Sequence, residues 1–325
     1  MNKKENEPLI TVENLSKIYQ DDKNNKIHAV NSLNLEIYKG EIFGLVGESG
    51  CGKTTFGEML LKLTEPSEGK IYYDFENAKI DLSKTKGTAL KELRKRIQIV
   101  FQDPYSSINP RKTIGWLLEE PLIIHKIDST SKEREKIIDE MLGLVGLDKT
   151  YKKRLPHELS GGQRQRIAIA IALILNPSFV VCDEAVSSLD MSIQAQILNL
   201  LKDLQEKFNL TYLFIAHNLN VVGYMADRIA VMNFGEIVEL GDANLLCKTP
   251  LHPYTEALFS SLTNISEEEK PRIILDGELP SRTKVPKGCV FASRCKYATE
   301  KCIKEKPILK EMSDGRQIAC HKFSK

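Results

Sequence analysis

A chain of 325 residues, 42% hydrophobic and 28% charged, has the composition of an ordinary globular protein of roughly two domains and excludes a disordered, collagen-like or membrane-spanning chain. Lys and Arg number 46 against 44 Asp and Glu, a formal net charge of +2, so no global charge draws the chain to nucleic acid or anionic lipid. Seven cysteines are far too few for a disulfide scaffold.

In chain order, the polar segment from Met1 to Pro8 has no apolar core of a signal peptide. Residues 9–19 and 27–37 alternate apolar and polar side chains, as half-exposed strands do. Residues 42–46, IFGLV, predict a buried strand, and a glycine-rich loop then leads into a helical pattern from Thr54 to Leu63. Arg96 to Phe101 predicts a strand, and 113–150 has the spacing of a helical subdomain. Gln163 to Leu175 predicts a helix stopped by Asn176–Pro177. A buried strand, Phe179 to Cys182, runs into Asp183–Glu184, and an amphipathic helix spans Ile193 to Phe208. Strands follow at 211–216, 228–232 and 236–240. The alternation of strands and helices implies a mainly parallel sheet covered on both faces.

From 247 to 288 the texture changes. Pro250, Pro253, Pro271, Pro280 and Pro286 fall in this stretch with the acidic run Glu267 to Glu269, which predicts a linker and an appended C-terminal region. The longest apolar run, Ile167 to Leu175, has nine residues. A spanning helix needs about 20. The chain is therefore expected in the cytosol, reaching a membrane only through a partner. In that reducing compartment clustered cysteines point to metal or redox chemistry before disulfides.

Three motifs carry chemistry. Gly47-Glu48-Ser49-Gly50-Cys51-Gly52-Lys53-Thr54 fits G-x-x-x-x-G-K-[ST], with a strand before it and a helix after. Its glycines let backbone amides curl around phosphate, and the helix N-terminus adds positive potential. Lys53 supplies charge to the β- and γ-phosphates, and the Thr54 hydroxyl suits Mg²⁺. Asp183 and Glu184 lie at a strand's carboxyl end, where open α/β sheets bind ligands. Asp183 suits Mg²⁺ and Glu184 suits orienting or deprotonating water; alone, the pair would read as solvated surface acids. Ser160-Gly161-Gly162-Gln163 opens a further helix, with Ser160 as N-cap. It is a second anion-capable helix start, more than 100 residues after the first. By itself it would be an ordinary capped helix.

Taken together, residues 9–245 resemble the ATPase subunit of an ABC transporter. LSGGQ at 159–163 matches that family's signature motif. The resemblance implies an α/β P-loop NTPase core with an antiparallel β subdomain and a helical subdomain, and a small cysteine-bearing C-terminal extension at 246–325. It implies ATP and Mg²⁺ bound through Gly47, Ser49, Gly50, Cys51, Gly52, Lys53, Thr54 and Thr55, with Tyr19 stacked on adenine. Gln102 matches the Q-loop glutamine, a Mg²⁺ ligand with Thr54 and Asp183. Ser188-Leu189-Asp190 matches the D-loop, and His217 the switch histidine that meets the γ-phosphate beside the catalytic Glu184. Ala185 and Asn218 depart from the family's usual proline and aspartate. Members dimerise head to tail, so each ATP lies between one phosphate loop and the partner's signature residues. One phosphate loop per chain thus implies a second ATPase subunit.

Within the family the chain looks like the F-type subunit of oligopeptide/dipeptide importers. The carrying residues are Phe101 to Arg111, His252-Pro253-Tyr254-Thr255, and Gly288-Cys289-x-Phe291-x-x-Arg294-Cys295 onward to Cys302. This implies a D-type ATPase partner, two membrane permeases, an extracytoplasmic peptide-binding protein, and a peripheral place on the cytoplasmic face of the membrane. An importer of nickel or another small solute is the alternative, and a soluble non-transport ABC ATPase a further one. Cys289, Cys295, Cys302 and Cys320 are spaced C-x5-C-x6-C-x17-C. The donor set suits a soft metal but lacks the close pairs of structural zinc. The resemblance implies a [4Fe–4S] cluster; zinc, and free thiols or disulfides, stay open.

Overall fold

The computed structural model describes residues 7–75, 78–103, 108–127, 130–260, 283 and 285–323. Strand β1 (Pro8–Gln20) pairs antiparallel with β2 (Lys26–Tyr38), from Pro8 opposite Tyr38 to Gln20 opposite Lys26. The predicted alternation holds them: Ile10, Val12 and Leu15 on β1 and Val30, Leu35 and Ile37 on β2 are buried. Strand β3 (Ile42–Val46) is buried at every residue. The helix Lys53–Leu60 follows the phosphate loop and ends short of the predicted Leu63, because Lys62 turns left-handed.

The segment after Leu63 carries no predicted element, yet it holds β4 (Glu68–Phe75), β5 (Ala78–Asp81) and the helix Gly87–Arg96. The strand signal in β4 is short: Ile71, Tyr73 and Phe75 turn inward while Tyr72 and Asp74 stay half-buried. Tyr73 is fully buried, and its hydroxyl donates to the Leu60 carbonyl at 2.8 Å. The four strands form an antiparallel sheet of order β2-β1-β4-β5.

The chain continues through β6 (Ile97–Val100), helices Ile114–Ile124, Ser131–Leu144 and Gly161–Leu173, β7 (Phe179–Asp183), helix Met191–Phe208 and β8 (Thr211–Ile215). Helix Leu219–Met225, β9 (Arg228–Asn233), β10 (Glu236–Asp242), and helices Ala243–Lys248, Pro253–Phe259 and Glu300–Lys304 come next. Short strands β11 (Lys310–Glu311) and β12 (Gln317–Ile318) lie near the C-terminus.

Two compact units divide the chain, Met1–Ser83 with Ile215–Lys325, and Lys84–Phe214. In the first, β3 pairs in parallel with β9, while β9–β10, β10–β12 and β12–β11 are antiparallel. The parallel arrangement expected from the sequence thus gives way to antiparallel pairing towards β11. The helix Leu219–Met225 lies so close to β3 that a Cβ on Gly44 would come within 2.5 Å of Val222. In the second unit the strand order is β8-β7-β6, with β6 and β7 parallel.

The second unit also holds the predicted helical segment. Thr113 caps Ile114–Ile124, and Thr130 with Glu133 makes a capping box for Ser131–Leu144. Arg134 pairs with Glu119 at 3.0 Å between these helices. No helix among the described residues is long and apolar enough to cross a membrane.

The expected linker starts too early. Residues 243–248 and 253–259 are helical, and Pro253 starts a helix rather than breaking one. Proline is at home in the first turn, where its missing N–H would have no partner, and the His252 ring nitrogen caps this helix through the Tyr254 amide. Residues 261–282 and 284 of that expected linker lie outside the described residues, as do 104–107 of the Q-loop segment.

Candidate nucleotide-binding site

In the first unit, the loop at 47–52 leaves the carboxyl end of β3 and enters helix Lys53–Leu60. Gly52 stands at the N-cap with φ 114°, where a Cβ would lie 2.2 Å from the Ala29 carbonyl oxygen. A Cβ on Gly47, at φ 154°, would lie 2.1 Å from the Met232 carbonyl oxygen. Both backbone shape and space therefore require glycine. No side chain caps this helix, so its first amides face whatever anion the loop receives.

Lys53 is 5% exposed, and its ammonium donates to the carbonyls of Gly47 at 2.9 Å and Glu48 at 3.1 Å. The charge is thus curled over the loop. Cys51 is buried, with its sulfur 3.8 Å from that ammonium, while Ser49, Gly50 and Thr54 are exposed and Thr55 is half-buried. Tyr19 is 37% exposed on β1, and the Lys17 ammonium lies 4.9 Å from its ring centroid. His217 is exposed just beyond β8. Asn218, one of the departures from the family pattern, caps helix Leu219–Met225 by accepting from the Asn220 amide.

Glu48 has two partners from the C-terminal part of the same unit. Arg294 grips its carboxylate with two bonds, 2.7 and 2.8 Å, and its amide donates to the Tyr254 hydroxyl at 2.9 Å. Sequence reading singled out both 254 and 294 within motifs, but nothing in their spacing says that they meet residue 48.

In the second unit, parallel pairing sets Val100 opposite Cys182, so the carboxyl ends of β6 and β7 are side by side. That register brings Gln102 to Glu184, and the amide nitrogen donates to the carboxylate at 2.9 Å. Glu184 has φ 47°, a left-handed conformation that costs a residue with a side chain about 1 kcal/mol or more. Its carbonyl accepts from the Ser187 amide at 3.0 Å and the Ser187 hydroxyl at 2.9 Å, which fixes the turn. Asp183 is half-buried beside it, and Cys182 is fully buried, which pushes its thiol up to about 12. Ala185, the other departure, is buried at 1% exposure.

The signature segment is organised differently. The Ser160 hydroxyl accepts from the Gln163 backbone amide at 3.3 Å, and the Gln163 side-chain Oε1 accepts from the Ser160 backbone amide at 3.0 Å. The helix begins at Gly161, two residues before the predicted start, because this reciprocal cap sets its first turn. A Cβ on Gly162 would lie 2.6 Å from Ile193, so that glycine is required by packing. Gly161 meets nothing closer than 3.7 Å. Asp190 caps the helix Met191–Phe208 through the Ile193 amide at 3.0 Å, and that bond holds its carboxyl below the usual range.

The four C-terminal cysteines are neighbours. The Cys289 amide donates to the Cys302 carbonyl at 2.8 Å, and the Cys289 thiol feels Cys302, Cys320 and Cys295 electrostatically. Burial pushes Cys289 up to about 11 and raises Cys295 and Cys320 as well. Such thiols stay protonated at neutral pH, and a metal would have to displace their protons. Among the described residues no three Cys, His, Asp or Glu side chains are grouped as a metal cage. The donor chemistry fits the soft metal that the resemblance implies. None of the cysteines forms a disulfide.

Comparison with known proteins decides the family. The oligopeptide transport ATP-binding protein AppF of Bacillus subtilis is 47% identical over 301 residues, 92% of this chain and 90% of the relative. The dipeptide transport ATP-binding protein DppF of Haemophilus influenzae is 46% identical over 323 residues, 98% of this chain and 97% of the relative. The chain belongs to the ABC transporter ATP-binding family. The ABC transporter domain matches residues 30–187, and the oligopeptide/dipeptide transporter C-terminal region matches 238–302. A solved ATP-binding cassette, a dimer in a post-hydrolysis state bound to ADP and Pi, aligns with a TM-score of 0.64 at 31% identity, over 72% of this chain and 98% of that one. The fold is that of an ABC ATPase cassette, and the ABC protein binds and hydrolyses ATP.

Proposed function

We propose that this ABC ATPase energises peptide import. The observation that carries the reading is a C-terminal region of the oligopeptide/dipeptide transporter type on the same chain as a phosphate loop. The full-length likeness to oligopeptide and dipeptide transport proteins supports it. A nickel or small-solute importer is the alternative. Uptake of labelled di- and oligopeptides, compared with labelled nickel, by cells with and without the protein tests the reading; uptake of nickel alone overturns it.

In this reading the chain is peripheral on the cytoplasmic face, bound to two permeases and a related D-type ATPase. Lys53 and the loop amides hold the phosphates, and Tyr19 offers its ring to adenine. Ser160, Gly161, Gly162 and Gln163 act on the partner's nucleotide, beside Asp190. ATP contacts both subunits only when they meet, so binding favours the closed pair and loss of the γ-phosphate link lets it part. Oxygens of Thr54, Gln102 and Asp183 would hold Mg²⁺, which neutralises developing charge on the phosphates. Glu184 takes the proton of the attacking water, and His217 donates towards the γ-phosphate. The bond from Gln102 holds the Glu184 carboxylate at the strand end, ready for that water.

Glu184→Gln should keep ATP affinity and lose about 100-fold or more in turnover. Wild-type-like hydrolysis by this variant, measured with the assembled transporter, removes Glu184 from the role of base. The four cysteines carry the [4Fe–4S] proposal, with zinc as alternative, on donor chemistry and resemblance. Iron and sulfide analysis after anaerobic purification tests it, and a colourless zinc protein overturns it.

A further inference from the structure

The phosphate loop carries a negative charge of its own. Glu48 is the second residue of a loop whose task is to bind a polyanion, and its side chain is 28% exposed. An uncompensated carboxylate there would repel the phosphates that Lys53 attracts. We propose that Arg294 neutralises and positions Glu48, and so sets the affinity of the phosphate loop for nucleotide. Arg294 is a positioning residue that acts through the loop.

Four observations meet on this point. The Arg294 guanidinium takes both oxygens of the Glu48 carboxylate, at 2.7 and 2.8 Å, the fork geometry that binds a carboxylate most firmly. Its side chain is only 7% exposed, so the pair is shielded from water on the arginine side. The Glu48 backbone is held separately, its amide by the Tyr254 hydroxyl at 2.9 Å. The Glu48 carbonyl in turn accepts from Lys53 at 3.1 Å, so a shift of this residue reaches the lysine directly.

The two partners come from one packed piece. The Phe291 ring is 2% exposed, with the Tyr254 ring centroid at 5.3 Å and the Arg294 guanidinium carbon at 6.0 Å. Arg294 is set in a tight turn by its backbone N–H, which donates to the Phe291 carbonyl at 3.1 Å. Residues more than 200 positions along the chain thus hold the charge and the backbone of one loop residue.

Titrating the full-length protein with Mg²⁺ and a fluorescent ATP analogue tests the proposal. Arg294→Ala should weaken binding about tenfold, because the Glu48 carboxylate then faces the nucleotide unneutralised. Adding Glu48→Gln to that variant should restore affinity to within about twofold of wild type, because the offending charge is gone. A structural loss at Arg294 would not be repaired by removing the carboxylate, so a double variant as weak as Arg294→Ala overturns the proposal. Unchanged affinity in Arg294→Ala with an unchanged melting temperature overturns it too. Where Arg294→Ala does not fold, Arg294→Gln keeps the bulk and a donor, and the same pair of titrations decides.

Discussion

The phosphate loop and the signature segment are both glycine-containing helix starts, and the chain treats them in opposite ways. At Gly52 the helix has no side-chain cap, and Gly47 and Gly52 sit where a Cβ would strike a backbone carbonyl. At Ser160 a reciprocal cap with Gln163 already satisfies two amides, and Gly162 is small because Ile193 lies against it. The first start is held open for an anion by its backbone. The second is self-satisfied within a single chain and must exchange internal bonds for a ligand. That contrast suits a site completed only when two subunits meet.

The largest effect should come from the open start. Gly52→Ala should cost about 3 kcal/mol or more of stability, since its Cβ meets a carbonyl oxygen at 2.2 Å in a left-handed backbone. Calorimetry and nucleotide titration should show both a lower melting temperature and lost binding. A variant that binds normally would break the claim that backbone shape opens this loop.

A smaller effect should separate the two starts by pH. The residue before Pro253, His252, is 1% exposed, and burial lowers its ring to about 3. Its amide and that of Leu251 donate to Glu239, which burial raises, with Arg316 at 3.7 Å. An imidazole held neutral in the folded chain titrates near 6.5 when unfolded. Its contribution is therefore complete above about pH 6.5 and is lost as pH falls towards 3. The loss should reach about 2 kcal/mol by pH 5 relative to His252→Gln, measured by denaturant titration across pH. A pH-independent difference between the two proteins would show that His252 titrates normally. The signature segment has no such buried histidine among its cap partners, so this sensitivity should belong to the phosphate-loop unit.

The smallest effect should come from the capped start. Ser160→Ala should cost about 1 kcal/mol of stability, the usual worth of an N-cap, while leaving nucleotide binding by a single chain unchanged. Weakened binding by the isolated chain would mean that Ser160 serves its own phosphate loop.

Legibility followed the range of the interactions. β1, β2 and β3 were readable because their burial follows a local alternation or an unbroken apolar run. The Lys53 loop was readable because its glycines answer to local backbone shape. The helix Pro253–Phe259 is hidden in the sequence because a proline reads locally as a breaker, although Pro253 with His252 is a helix start. β4 and β5 escape a local reading because alternating burial in β4 is confined to Ile71 through Phe75, and β5 has no buried residue. Gly162 looked like an amide-freeing glycine, and only the nearness of Ile193 gives it a packing role.

By itself, the sequence determined the phosphate loop, the acidic pair after β7, the capped signature helix and the order in which they occur, because each depends on residues close together in the chain. The tertiary structure decided which distant residues answer one another. Parallel register set Gln102 on Glu184, and packing around Phe291 delivered Arg294 and Tyr254 to Glu48. The physical reason is that hydrogen bonds and charge pairs require contact in space, and no local pattern encodes a contact between residues 48 and 294. The C-terminal cysteines show the same limit: spacing named the donors, while only the fold shows that burial raises the thiols of Cys289, Cys295 and Cys320.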